Sequence, residues 1–248
     1  MITNRYHFEE IDSTNKKAKE LGQNGALHGT LVTANAQTSG VGRRGRNWSS
    51  EKDAGVYMSI LLRPEIETEK ASMLTLVAAM AVEKALLKLP AEVKIKWPND
   101  IVLNKKKICG ILTELSLAGS EIDFVVIGIG INVNNKEFPE EIQSTASSLS
   151  LELEGDIDKE MLITEVWKQF DVYYQQFLKT KDVSLFKEDY ERALINKNEK
   201  VKVLDPAGEY TGIAQGISNT GELIVDVEGE LRKVSSGEVS VRGIYGYV

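Results

Sequence analysis

Residues 37–48 read Q-T-S-G-V-G-R-R-G-R-N-W, and residues 40–46 within them hold three glycines and three arginines. Glycine admits backbone conformations closed to other residues and lets N–H groups approach an anion closely. Arginine brings a fixed fork of donors matched to phosphate or carboxylate. Trp48 adds a flat apolar face able to cover a ligand. Composition alone is equally that of a solvated basic loop, so the reading depends on what surrounds it. Residues 29–36 (G-T-L-V-T-A-N-A) form an apolar strand that delivers the chain to the loop, and residues 56–63 (V-Y-M-S-I-L-L-R) form the strand that receives it. The loop satisfies G-x-G-x-x-G after a strand. The following R-N-W-S-S-E-K-D-A-G is a poor helix opening, however, and a dinucleotide site needs a helix N-terminus there. No G-x-x-x-x-G-K-[ST] occurs, which excludes a P-loop.

Outward from this stretch, residues 5–11 alternate loosely as a strand. In D-S-T-N-K-K-A-K-E-L-G (12–22), Asp12 or Ser13 is a good N-cap and Gly22 a good stop for a short helix. Ser13, Thr14 and Asn15 read equally as caps or as hydrogen-bonding groups for a polar ligand. Apolar spacing predicts a long helix over 68–89. In 93–103 (V-K-I-K-W-P-N-D-I-V-L) a strand runs into a Pro98-Asn99 turn, N-K-K-K (104–107) is a hairpin turn, and I-C-G-I-L-T-E-L begins the returning strand. A lysine run at a turn is ordinarily solvated, but Lys107 adjoins the strand that holds Gly110, and a strand glycine marks close approach of a ligand or another backbone. Residues 121–135 are the most apolar strand, in which Gly128, Gly130 and Asn132 either admit bulky neighbours or floor a pocket. Amphipathic helices follow at 159–178 and 184–195. After Asn196 come short strands at 201–204, 209–217, 223–227, 230–234 and 239–241, separated by D-P-A-G, S-N-T-G-E, E-G and S-S-G, the pattern of a small SH3-like barrel. The expected division is a body over 1–195 and a barrel over 196–248.

The whole chain narrows the chemistry. A net charge of −7 over 248 residues argues against general nucleic-acid affinity, so any basic function is local. Two histidines and one cysteine argue against a zinc centre and against Ser-His-Asp or Cys-His catalysis, which leaves charge stabilisation by arginine, lysine and backbone donors. The longest apolar runs, 73–82 and 124–133, are ten residues each and too short to cross a bilayer. The start M-I-T-N-R-Y-H-F-E-E is not a signal peptide, and the lone Cys109 fits a reducing compartment, so a cytoplasmic location is expected.

Taken together, S-T-N (13–15), Q-T-S-G-V-G-R-R-G-R-N-W (37–48), K-W-P-N-D (96–100), K-I-C-G-I-L (107–112) and G-I-G-I-N-V-N (128–134) resemble the biotin–protein ligases in order and approximate spacing. The stretch G-E-L-I-V-D-V-E-G-E-L-R-K-V-S-S-G-E-V-S-V-R (221–242) is similar to that family's C-terminal barrel. The resemblance implies an α+β fold of the class II synthetase-like type: a mixed β-sheet catalytic domain with flanking helices, then the barrel. It implies ATP-dependent transfer of biotin to a lysine of a biotin carboxyl-carrier protein through biotinyl-5′-AMP, with ATP and Mg2+ as co-substrates and no resident metal. By resemblance Ser13, Thr14, Asn15 and Gln37 hold biotin's polar ring, and Gly40, Val41, Gly42 and Trp48 form the loop over it. Arg43 and Lys107 face the carboxylate and α-phosphate. Gly110, Gly128 and Gly130 shape the floor, Arg46 and Asn132 lie near the nucleotide, and Asp100 sits where the acceptor lysine enters. Two departures stand out. Val41 occupies a loop position that relatives fill with arginine or lysine. The first motif also arrives at residue 13, leaving no room for the N-terminal helix-turn-helix of some relatives, so DNA is not an expected partner. A homodimer is left open. Lipoate ligases and octanoyltransferases share the fold, but their R-R-x-x-G-G-G stretch is absent here. A non-catalytic biotin or biotinyl-AMP sensor is the reading from a different class.

Overall fold

The computed structural model describes residues 3–237, 239–243 and 247–248. A seven-stranded mixed sheet forms the body, built from β1 (Asn4–Phe8), β2 (Thr30–Ala34), β3 (Gly55–Leu62), β4 (Lys94–Lys96), β5 (Asp100–Leu103), β6 (Lys106–Ala118) and β7 (Glu121–Asn132). Their spatial order is β1-β2-β3-β7-β6-β5-β4, with β1 parallel to β2 and every other neighbour antiparallel.

Strand periodicity divides the sheet into two faces. Val56, Met58 and Ile60 of β3 and Val125, Ile127, Ile129 and Ile131 of β7 point into the main core with α2 (Leu74–Leu86) and α4 (Lys159–Thr180). On the other face, α1 (Thr14–Gln23) covers Val32, Leu61, Phe124 and Val126 through Ala18. Gly22 lets this short helix lie close, since a Cβ there would stand 2.8 Å from Leu61 and 2.9 Å from Phe124. Gly22 is therefore a packing residue, and the left-handed glycine that stops the helix is Gly25, at φ +81°. Because α1 spans only one end of this face, the rest is left for a site.

Several elements differ from the sequence expectation. The helix over 68–89 opens as a 3-10 segment, Thr68–Met73, and becomes α-helical only from Leu74. Strand β7 ends at Asn132, and a short helix, α3 (Leu149–Leu153), follows in a stretch with no clear periodicity. The hairpin joining β5 to β6 turns on Asn104 and Lys105, both left-handed (φ 49° and 66°), so Lys107 lies in the strand.

After α5 (Lys187–Ala193), strands β8 (Lys200–Leu204), β9 (Tyr210–Ile217), β10 (Leu223–Val227), β11 (Glu230–Val234) and β12 (Ser240–Gly243) form an antiparallel sheet in the order β11-β10-β9-β8-β12, of the SH3-like kind expected. Its core of Val201, Val203, Ala214, Leu223, Val225 and Val241 is continuous with that of the body. The two are pinned where the buried Trp97 indole donates to the Gly221 carbonyl at 3.0 Å, and where Ile195 N–H donates to the Ile95 carbonyl at 2.9 Å.

Candidate active site

The site is a trough set by cross-strand register. One row across the sheet pairs Ala34 with Tyr57, Tyr57 with Gly130, Gly130 with Gly110, Gly110 with Asp100 and Asp100 with Lys96. The next row pairs Val32 with Ser59, Ser59 with Gly128 and Gly128 with Leu112. Glycines on adjacent strands thus remove the side chains from the middle of the uncovered face. Trp48 lies in the gap: a Cβ on Gly110 or Gly130 would stand 2.8 Å or 2.6 Å from its ring. With Trp48 in place the cleft has a volume of only about 50 Å³.

At the α1 end the cleft is polar. The backbone N–H of Thr14 donates to Gln37 Oε1 at 2.8 Å, so a side chain from the neighbouring loop caps the helix, and the Ser13 side chain makes no capping bond. The Thr14 hydroxyl lies 3.1 Å from the same oxygen, Ser59 Oγ lies 2.8 Å from Thr14 Oγ1 and 2.6 Å from Asn15 Oδ1, and Asn15 Nδ2 donates to Glu114 at 2.8 Å. Glu114 is held in turn by Lys19 at 2.7 Å. Two hydroxyl protons, those of Thr14 and Ser59, serve three oxygen–oxygen contacts. One contact at a time lacks a donor, and this end of the cleft is therefore short of hydrogen-bond donors.

The opposite end is charged. A β-bulge in β6 places two residues, Lys107 and Cys109, against consecutive residues of β5, with Ile108 extra. Strict alternation would put Lys107 on the core face with Cys109. The bulge turns it to the cleft and sends Ile108 into the core. Lys107 Nζ reaches Asp100 Oδ1 at 2.6 Å and lies 5.3 Å from the centre of the Trp48 ring. Burial raises the pKa of Asp100, but Lys107 and Lys96 outweigh it and hold the carboxyl below its ordinary range. Lys96 itself is buried, and burial lowers it to about 8 against the pull of Asp100. Arg43 donates to Asn99 Oδ1 at 2.8 Å and to the carbonyls of Ser236 and Gly237 at 2.6 and 3.0 Å, so it ties the loop to the turn before β12. Burial depresses its pKa and Asp100 opposes that.

The loop between these ends is closed on itself. Trp48 N–H donates to the Gly40 carbonyl at 2.9 Å, Val41 bridges Asn47, and Gly42 N–H donates to the Arg46 carbonyl at 2.7 Å around a turn in which Arg44 and Gly45 are left-handed. Gly40 is required for closeness, since a Cβ there would meet the Trp48 carbonyl at 2.5 Å. No helix follows the loop, as expected from R-N-W-S-S. A larger open groove of about 980 Å³ adjoins the charged end. It runs between the loop, residues 135–146 and the barrel strands, and Arg43, Arg46, Lys96, Lys107, Asn132 and Arg242 border it.

A model of the family described as "Biotin/lipoate A/B protein ligase family" matches residues 7–132, and one described as "Biotin protein ligase C terminal domain" matches residues 198–242. The bifunctional ligase/repressor BirA of Bacillus subtilis is 37% identical over 95% of this chain and 73% of its own. The chain belongs to the biotin/lipoate A/B protein ligase family. A biotin--[acetyl-CoA-carboxylase] ligase of Mycobacterium tuberculosis is 30% identical over 93% of this chain and 86% of its own. A biotin protein ligase from Aquifex aeolicus, solved in complex with biotin and ATP, superposes with a TM-score of 0.85 at 34% identity, covering 98% of this chain and 100% of that one.

Of the residues named from sequence, Ser13, Thr14, Asn15, Gln37, Val41, Gly42, Arg43, Trp48, Lys107, Gly110, Gly128 and Gly130 line the ligase-family cleft. Asp100, Arg46 and Asn132 border the adjoining groove instead, and Gly40 supports the loop from behind. The Asn132 amide donates to the Ser147 carbonyl at 3.0 Å and so holds the groove wall. Four further residues join the site, Ser59 and Glu114 in the polar network and Asn99 and Lys96 around Asp100. Polar Ser59 within V-Y-M-S-I-L-L and Glu114 within G-I-L-T-E-L were the available signals. No helix among the described residues is long and apolar enough to cross a membrane, and no group of three or more acidic, histidine or cysteine residues among them could hold a metal.

Proposed function

We propose that this ligase activates biotin with MgATP and transfers it to a lysine of a biotin-accepting carrier domain of a carboxylase. The observation that carries the reading is the polarity of the single cleft. One end, at Thr14, Asn15, Gln37 and Ser59, is short of donors and suits a ring bearing N–H groups such as biotin's ureido ring. The other end presents Lys107 and Arg43 and suits a carboxylate. The side-chain-free Gly110–Gly130 trough between them suits an alkyl chain.

In the first step a biotin carboxylate oxygen attacks the α-phosphorus, a C–O–P linkage forms, and pyrophosphate leaves with magnesium. Lys107 and Arg43 stabilise the charge that gathers on the phosphoryl oxygens. To do so Arg43 releases the Ser236 and Gly237 carbonyls, which couples ligand binding to the contact between loop and barrel. Trp48 leaves the trough and closes over the ligand, excluding water from the mixed anhydride. The adjoining groove, with Arg46 and Asn132 on its border, takes the nucleotide. In the second step the carrier lysine nitrogen attacks the activated carbonyl at Asp100, the amide forms, and AMP leaves. The body over 1–195 supplies the chemistry, the barrel over 196–248 closes the groove, and the cytoplasm is the compartment that offers ATP and carrier.

The test is mass spectrometry of a biotin carrier domain after incubation with MgATP, biotin and this protein, which should gain one biotinyl group. Because the family model spans lipoate enzymes as well, pyrophosphate exchange is run beside it. Exchange with lipoate or octanoate but not with biotin overturns the substrate assignment, and no exchange with any acid leaves a sensor.

A further inference from the structure

Tyr247 lies beyond β12 and reaches back to the body, where its hydroxyl donates to Asp100 Oδ2. Its ring sits beneath the buried Lys96 ammonium, 4.2 Å from the ring centre. The second carboxylate oxygen, Oδ1, already accepts from Lys107 at 2.6 Å and from Asn99 Nδ2 at 3.1 Å. Both oxygens of Asp100 are therefore engaged. Two of these three partners, Asn99 in the turn beside β4 and Lys107 in β6, belong to the rigid body of the sheet. Only Tyr247 comes from outside it. Burial, and after it the negative charge of Asp100, raises the phenol's pKa, so it remains a protonated donor at neutral pH.

We infer that Tyr247 is an acceptor gate, a specificity residue whose hydroxyl occupies the Asp100 oxygen an incoming amine requires. The inference rests on the reading of Asp100 as the amine site. When an amine reacts, its nitrogen forms a bond to the biotinyl carbonyl, the carbonyl–phosphate C–O bond breaks, AMP leaves with the electron pair, and the amine's proton passes to Asp100 or solvent. A small free amine has no surface with which to dislodge Tyr247. A folded carrier docked over the groove has that surface, and its binding energy displaces the phenol as its lysine arrives. The gate thus holds the adenylate against stray amines until the carrier is bound. The Lys96 cation–π contact seats the ring, and the hydroxyl closes the carboxylate.

The experiment uses full-length protein preloaded with biotinyl-5′-AMP. Two rates are measured for each variant, transfer to hydroxylamine or to Nα-acetyl-lysine amide, and transfer to a folded biotin carrier domain. Tyr247→Phe keeps the ring and loses the hydrogen bond. It should raise the ratio of small-amine to carrier transfer by roughly tenfold, the lower end of what a hydrogen bond to a charged acceptor supplies. Tyr247→Ala, which also removes the ring, should raise it at least as far. Retention of the preloaded adenylate reports that each variant is folded. An unchanged or lower ratio in both variants, with transfer slowed in Asp100→Asn, overturns the gate alone. Normal transfer in Asp100→Asn overturns the placement of the amine at Asp100, and the gate with it.

Discussion

Gly128→Ala tests the polar end of the cleft. A Cβ at this position would stand 2.1 Å from Asn15 Oδ1, 2.8 Å from its Cγ and 2.9 Å from its Nδ2, so the Asn15 side chain has to move. It is buried and cannot move without leaving Glu114 at 2.8 Å and Ser59 at 2.6 Å. A hydrogen bond to a charged acceptor contributes about 1.5–3 kcal/mol and a neutral one about 1 kcal/mol, so the displacement destabilises the fold by at most about 4 kcal/mol. Biotin binding weakens because the displaced Asn15 no longer faces the ligand, and losing one or two hydrogen bonds of about 1.4 kcal/mol each to it raises Kd roughly 10- to 100-fold. Isothermal titration of biotin into the purified variant measures it. Gly22→Ala is the matched control. Its Cβ would press on Leu61 and Phe124 at 2.8 and 2.9 Å, outside the cleft, so it should lower Tm and leave the biotin Kd as it was. A Gly128→Ala protein whose Kd stays within about twofold of the parent's, well inside the effect of one lost hydrogen bond, would refute the role of Asn15.

Further outcomes follow from the charged end and the loop. Lys107→Met should cost about 2–4 kcal/mol of adenylation barrier while Lys105→Met, on the left-handed turn, changes nothing; equal rates in the two remove Lys107 from the chemistry. Val41 is half exposed at the cleft rim, and Val41→Arg should slow biotinyl-AMP release roughly 10- to 150-fold, the effect of one charge-assisted hydrogen bond; stopped-flow tryptophan fluorescence follows release, and an unaltered rate means the side chain points away. Lys96 should make stability rise with pH. Its folded pKa is about 8 against an ordinary 10.5, so between these values the unfolded chain binds more protons, and at about 1.4 kcal/mol per pH unit the gain is bounded near 3 kcal/mol. Above about pH 10 the raised phenols of Tyr57 and Tyr247 oppose it, because the unfolded chain then loses protons first. Urea unfolding of parent and Lys96→Met over the window below that pH should give diverging curves, and parallel ones exclude the assignment.

Much of the site was legible because its residue types are unusual for their positions. Glycines in an apolar strand, three small polar residues at a helix start and a tryptophan closing a basic loop each need a reason, and all of them meet at one cleft. What could not be read is what depends on long-range pairing. Ser59 and Glu114 become site residues only because β3, β7 and β6 lie side by side, an order that local spacing does not encode. The bulge at Ile108 is not legible either, because I-C-G-I-L-T-E-L reads as an ordinary returning strand. Tyr247 lay beyond every motif. The loop carried a different lesson. Its glycines suggested backbone donors free for phosphate, yet the N–H groups of Gly42 and Trp48 close the loop on itself, and Gly40 is there to admit the Trp48 carbonyl. Those two donors are therefore not open to an anion while the loop keeps this shape.

The dependence on register explains why so few residues can define so specific a trough. Side chains alternate along β7, so a slip of one residue against β6 would turn Gly128 and Gly130 into the core and fill the cleft with Ile129 and Ile131. Inside the cleft only Asn15 and Trp48, seated against the bare glycines, oppose that slip. The larger opposition lies on the far face, where Val125, Ile127, Ile129 and Ile131 are buried under α2 and α4 and would all be exchanged for glycine, asparagine and residues now under α1. At roughly 1.5–3 kcal/mol for each large apolar side chain moved out of the core, the penalty far exceeds any single interaction in the site. The binding trough is thus held open by packing on the side of the sheet that the ligand never touches, and substitutions such as Ile129→Ala should weaken biotin binding only through loss of the folded state.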